Sequence, residues 1–165
     1  MTNGAAAKPT PTSKRERYER LGEEIAAVLE GEDNLTARMA SVAAMLAAEF
    51  ETFLWTGFYA LDPMRADELV VGPYQGTLGC LRIAVGRGVC GTAAREGRTL
   101  IVGDVATFPG HIACDSRSRS EIVTPVRNAE GALIAVLDVD SAELSAFDED
   151  DAAGLEAILA RVFGR

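Results

Sequence analysis

Apolar residues in the first fifty positions recur at helical spacing. From Lys14 onward they fall at Tyr18, Leu21, Ile25, Val28 and Leu29, one face of a helix, and Gly31 supplies a stop signal. Asn34 is placed to cap a second helix in which Leu35, Met39, Val42, Leu46 and Phe50 face inward. A short polar turn joins the two, so they are expected to pack against each other. Residues 1–13, ending Lys8-Pro-Thr-Pro-Thr-Ser13, carry no such periodicity and read as a loose tail ahead of one domain, residues 14–165.

The pattern then shifts toward strands. Residues 53–61 are rich in aromatics and predict a strand, 62–67 supply turn chemistry, and 69–73 pair back. Residues 81–85 form a third strand, and Gly86-Arg-Gly-Val-Cys-Gly91 leads into a short helix over 92–96 that Gly97 closes. A strand over 99–102 precedes a long irregular stretch, 105–119, and stretches of that length are seldom idle in a compact domain. Residues 121–127 and 132–139 read as a hairpin around Asn128-Ala-Glu-Gly131. The acidic run Asp148-Glu-Asp-Asp151 suits a helix N-terminus, with Leu155, Ile158, Leu159 and Val162 as the buried face. Helices at both ends and mostly antiparallel strands between them give an α+β fold.

Composition narrows the function. With 165 residues, 48% of them hydrophobic, the chain is one domain able to bury its own core. A net charge of −9 argues against nucleic acid and against anionic membrane surfaces as partners. No segment has the form of a signal peptide, and the longest apolar runs fall far short of a membrane span. A cytoplasmic setting is the expectation, where thiols stay mostly reduced and cysteines that matter tend to be reactive rather than structural.

Three cysteines follow, Cys80, Cys90 and Cys114, with no CxxC pair among them. His111 keeps a Cys3His zinc set open on ligand count alone, but the close ligand pairs of structural zinc sites are missing, so no metal is expected. Free cysteines can also be plain core hydrophobes. Two neighbourhoods shift that balance. Cys90 sits at a predicted helix start, where backbone N–H groups would stabilise a thiolate or an anionic ligand. Cys114 lies in the irregular stretch close to Arg117 and Arg119, the setting of a reactive thiol. Local chemistry does not rank one above the other. Alternation puts Ile134, Val136, Asp138 and Asp140 on one strand face, and two neighbouring acids there are either a pair with a raised pKa, fit to donate a proton, or solvated turn residues. The hairpin can bring Glu121 near them. Trp55 and Tyr59 share a strand face, as core aromatics or as the wall of a small apolar site.

The segments Gly72-Pro-Tyr-Gln-Gly76, Cys80-Leu-Arg-Ile, Gly86-Arg-Gly-Val-Cys-Gly-Thr-Ala-Ala94, Phe108-Pro-Gly-His-Ile-Ala-Cys-Asp115, Ser120-Glu-Ile-Val and Leu137-Asp-Val-Asp-Ser141, in this order, resemble the free methionine-(R)-sulfoxide reductases. These are single-domain GAF-fold enzymes, and the likeness covers residues 14–163. It implies a GAF-like central sheet flanked by N-terminal and C-terminal helices. It implies that Cys114 is the catalytic cysteine, that Cys80 and Cys90 hold the resolving or recycling positions, and that Glu121, Asp138 and Asp140 face the substrate beside Trp55 and Tyr59. Arg117 and Arg119 depart from the small or polar residues the family usually carries there.

The implied reaction is attack of Cys114 on the sulfoxide sulfur, with Glu121 or Asp140 as proton donor, then a sulfenic acid and an intramolecular disulfide recycled by a thioredoxin-type reductant, with no cofactor. The carboxylate of the free amino acid would meet N–H groups of Val89 to Gly91, and its ammonium Asp138. A non-catalytic GAF sensor of small molecules or redox state is the competing expectation. A homodimer through the leading helices is left open.

Overall fold

The computed structural model describes residues 13–165; of the tail expected over 1–13, residues 1–12 lie outside the described residues. Ser13, by composition part of that tail, is the N-cap of α1 (Lys14–Val28): its hydroxyl accepts from the Glu16 N–H, and the Glu16 carboxylate accepts from the Ser13 N–H at 2.9 Å. Asn34 caps α2 (Leu35–Glu49) as expected, accepting from the Ala37 N–H. The strands are β1 (Trp55–Asp62), β2 (Arg65–Gln75), β3 (Arg82–Ala84), β4 (Leu100–Val102), β5 (Ser120–Arg127) and β6 (Leu133–Ser141). Helix α3 (Gly88–Glu96) lies between β3 and β4, and α4 (Glu149–Phe163) ends the chain.

The six strands form one sheet in the order β3-β2-β1-β6-β5-β4, with every neighbouring pair antiparallel. Helices α2 and α4 lie on one face and α1 packs on both, burying Leu21, Ile25, Val42, Leu46, Phe58, Leu137 and Leu155. Tyr18 locks α1 to α4. Its ring lies where a Cβ on Gly154 would stand, 2.2 Å from Cγ, and its hydroxyl donates to Asp151 at 2.8 Å. The opposite face carries α3 and the 103–119 segment over a smaller core of Trp55, Tyr59, Leu69, Ile83, Val89, Val123 and Val136. This is the predicted α+β architecture. Among the described residues no helix is long and apolar enough to cross a membrane.

Four departures from the expected pattern have local causes. Helix α3 starts at Gly88 rather than Thr92, because Gly88 takes a positive φ of 61° that lets the chain turn straight into the helix. Strand β2 runs past Pro73 to Gln75, because a register shift opposite residues 57–59 takes the proline, which has no N–H, out of the ladder. A 3-10 turn, Val105–Thr107, interrupts the irregular stretch after Asp104 accepts from the Ala106 N–H. Ile134 leaves the face assigned to it. Val126 pairs with Ala135 and Arg127 with Leu133, so Ile134 is the extra residue of a bulge and turns toward the helix-covered core. Val136, Asp138 and Asp140 keep their shared face.

Candidate active site

On the α3 face the sheet presents three carboxyl groups side by side. Glu121 on β5 pairs directly across from Asp140 on β6, and Asp138 sits two residues back along β6 on the same face. Across the other edge of β6, Trp55 is opposite Asp140 and Gly57 opposite Asp138. Gly57 is required by what covers it. A Cβ there would lie 2.2 Å from the Tyr74 Cβ and 2.7 Å from Trp55 Cη2, so only glycine lets the indole lie across the strand. Trp55 then stacks on Tyr59 at 5.6 Å and on Tyr74 at 5.1 Å, and its indole N–H donates to the Thr77 carbonyl at 2.9 Å. The aromatic wall and the core pair are thus one structure.

The sheet residues Trp55, Tyr59, Glu121, Asp138 and Asp140 line a cleft roofed by Val89 and Cys90 of α3, with Cys114 at its mouth. Cys114 is exposed and is joined to Cys80 by a disulfide, Cα–Cα 5.4 Å. This removes the Cys3His option, since two of the three thiols bond each other. Cys80 is held by its own N–H, which points at the Tyr59 hydroxyl, and by Gly79 seated on the rings of Trp55 and Tyr59. In this state the cleft offers about 30 Å³.

Cys90 lies deeper and free. The thiolate expected at the start of α3 is not what its surroundings favour. Burial pushes its pKa well up, and the charges of Asp138 and Glu121 push the same way, outweighing the helix terminus. Its Sγ stands 3.9 Å from Glu121 Oε1.

The carboxyls answer the question the sequence left even: they are buried, not solvated. Glu121 and Asp138 are 5% and 6% exposed. Burial raises Glu121 well above the carboxylate range, helped by the charge of Asp140, and it raises Asp138 in the same way, helped by Asp140 and Glu121. Asp140 is partly buried and is pushed up to about 6 by burial, against the hydrogen bond it accepts from the Ser118 hydroxyl. Three neighbouring acids that cannot all ionise make a reservoir of protons. His111, not singled out as catalytic by its spacing, places Nε2 3.3 Å from Glu121 Oε2.

Other expectations are corrected. Gly91 does not line the cleft: its N–H is engaged by the Arg87 carbonyl, and a Cβ there would lie 2.3 Å from the Ala84 oxygen, so its role is to let α3 press against β3. The N–H groups left without an intrahelical acceptor are those of Gly88, Val89 and Cys90. Arg117 does not act on Cys114. It forks onto Asp115, Nη2–Oδ2 2.7 Å, and holds that carboxyl well below its usual range together with the Thr77 hydroxyl. Sequence reasoning missed Ser118, Thr77 and Asp115. The Asp-x-Arg spacing was a usable signal for the last, but nothing local marks Ser118 as the partner of an acid 22 residues away.

Comparison with known proteins gives the site a context. The GAF domain family model matches residues 19–162. GAF domain-containing protein A of Dictyostelium discoideum is 52% identical over 89% of this chain and 90% of its own. A free methionine-R-sulfoxide reductase of Escherichia coli is 41% identical over 91% of this chain and 88% of its own. The crystal structure of free methionine-R-sulfoxide reductase from Neisseria meningitidis in complex with its substrate superposes with a TM-score of 0.85, at 43% identity, over 95% of both chains.

Proposed function

The chain belongs to the GAF-fold family of free methionine-R-sulfoxide reductases, and from that premise we propose that it reduces free methionine-(R)-sulfoxide through Cys114, with Cys80 as the resolving thiol. The observation that carries the assignment is the Cys80–Cys114 disulfide at the mouth of a cleft floored by proton-bearing carboxyls. It is the bond the cycle must form, in the place the substrate must enter. Of the two cysteines left open by the sequence, Cys80 shares an accessible bond with Cys114, whereas Cys90 is buried on α3, facing the acids.

The Cys114 thiolate attacks the sulfoxide sulfur while a protonated carboxyl, Glu121 or Asp140, donates a proton to the oxygen. Oxygen passes to Cys114 as a sulfenic acid and methionine leaves. The Cys80 thiol then attacks the Cys114 sulfur, forming the disulfide and expelling the oxygen as water. A thioredoxin-type dithiol reopens the bond by exchange, becoming the disulfide itself. Summed, one sulfoxide and one dithiol give one thioether, one disulfide and one water. No other cofactor enters the scheme.

Selectivity for the free amino acid follows from charge. Asp138 suits an ammonium, and the open N–H groups of Gly88, Val89 and Cys90 suit a carboxylate. A peptide bond would remove both charges and leave these buried groups unpaired.

Dithiol-coupled turnover with free and peptide-bound methionine sulfoxide, in each sulfur epimer, tests the proposal. Turnover is expected with the free R epimer alone and is expected to vanish in Cys114→Ser. Absence of turnover on any sulfoxide would leave the sensor reading in its place.

A further inference from the structure

Cys90 is the cysteine the scheme does not need, and it is not idle in the geometry. Its Sγ and one carboxylate oxygen each of Glu121 and Asp138 lie within 4.8 Å of one another, all three residues buried. We propose that this floor is a binding site for one thiophilic divalent cation, of which Zn²⁺ and Cd²⁺ are the representatives.

Five observations support it. The three donors come from three different elements, the first turn of α3, β5 and β6, packed into one core, so the set is held in place before any ion arrives. In tetrahedral zinc a thiolate sulfur at about 2.3 Å and a carboxylate oxygen at about 2.0 Å stand roughly 3.5 Å apart. The Cys90–Glu121 separation is 3.9 Å, so a side-chain adjustment of a few tenths of an ångström closes it. Asp138, which lines the cavity and is 6% exposed, keeps its Oδ1 without a hydrogen-bond partner. A buried carboxylate oxygen with no donor is costly, and a cation supplies what is missing. The cavity above these atoms, about 30 Å³ with the disulfide closed, admits an ion or a water but not an organic molecule. His111, 3.3 Å from the far oxygen of Glu121, fixes that carboxylate from outside, as second-layer partners of metal ligands commonly do.

The donor set chooses the ion. The ion displaces the protons these groups hold; the thiolate and two carboxylates so formed bring three negative charges, and the sulfur favours Zn²⁺ or Cd²⁺ over Ca²⁺ and Mg²⁺, which want oxygen alone. The site itself does not depend on the sulfoxide chemistry. If that chemistry is as proposed, the ion occupies the ground of the proton donors and excludes substrate.

The oxidised full chain isolates the site, because Cys80 and Cys114 are then bonded to each other and Cys90 is the free thiol among the described residues. Cd²⁺ is titrated into this form while the ultraviolet cadmium–thiolate absorption and the bound stoichiometry by dialysis are read. One ion per chain with a thiolate band is expected, with Ca²⁺ at equal concentration failing to displace it. Cys90→Ala should abolish the band, and Asp138→Asn, which keeps the shape of the side chain, should weaken binding by about tenfold or more. Binding without a thiolate band, equal binding by Cys90→Ala, or unchanged affinity in Asp138→Asn overturns the proposal, as does no binding at all. None of these readouts passes through turnover, so failure of the reductase assay and failure of this site are separate results.

Discussion

Asp140→Asn offers a direct measure of how much charge the fold tolerates in the cleft. In the native protein the pKa of Asp140 stands near 6 against an ordinary 3.8, a rise of about two pH units caused mainly by burial. Each unit corresponds to 1.36 kcal/mol, so the native state gives up about 3 kcal/mol, as an order of magnitude, once this carboxyl must ionise. The sign follows from proton counts. Below pH 3.8 the group is protonated folded and unfolded, and it contributes nothing. Between 3.8 and about 6 the folded state holds the proton more tightly than the unfolded state, so stability falls as pH rises; above about 6 the loss is complete. Asparagine keeps an oxygen to accept from Ser118 but never ionises. Urea unfolding of the oxidised protein and of Asp140→Asn at intervals from pH 3.5 to pH 8 should show the variant gaining on the parent by about 3 kcal/mol across that window, with any further gain at higher pH coming from Glu121 and Asp138, which the Asp140 charge no longer raises. A difference that stays flat from pH 3.5 to pH 8 would refute the burial argument for this residue, whatever its absolute size.

Cys80→Ser should release one methionine per chain in a single-turnover measurement, yet lose steady-state recycling by a thioredoxin-type dithiol; undiminished recycling would assign resolution to Cys90. Gly57→Ala sets a Cβ 2.2 Å from the Tyr74 Cβ, so denaturant unfolding should show a loss of about 1–3 kcal/mol and the tryptophan emission should shift as Trp55 is displaced. Tyr18→Phe removes the donor to buried Asp151, which Lys14 still pairs at 2.7 Å, and a loss of about 1–2 kcal/mol is expected in the same assay. Asp115→Ala frees Arg117 beside Cys114, and reaction of the reduced protein with an alkylating agent should quicken as the cation becomes available to the thiolate.

Periodicity and turn chemistry were enough to read the helices and the succession of strands along the chain, because those signals are local: Asn34 caps within three residues and the acidic start of α4 caps itself, whereas Ser13, also a cap, reads as part of the tail. What was not legible depends on contacts between distant segments. The bulge that turns Ile134 away exists only because β5 and β6 pair in one register. Tyr18 filling the space above Gly154 is a fact of helix packing, which neither residue announces. The same division runs through the site. Alternation placed Asp138 and Asp140 on a common face, but their burial, and with it their chemistry, depends on α3 and the 103–119 segment closing over them. The pairing of Cys80 with Cys114 spans 34 residues and rests on Tyr59 and Trp55 beneath it. Cys90 misled local reasoning for a definite reason: the helix start argues for an anion, while the two acids facing it argue against one more strongly.

In the proposed cycle the disulfide also sets the order of events in time. With Cys114 tied to Cys80, the cleft retains about 30 Å³, whereas a ligand as small as benzene calls for a cavity of roughly 150 Å³. In this cycle sulfoxide and reductant therefore do not occupy the protein together: one meets the dithiol form, the other the disulfide. Initial rates should follow a double-displacement law, with parallel lines when one reactant is varied at fixed levels of the other. An excess of sulfoxide in that cycle finds no room in the oxidised form, so it should not hold the protein back from its reductant.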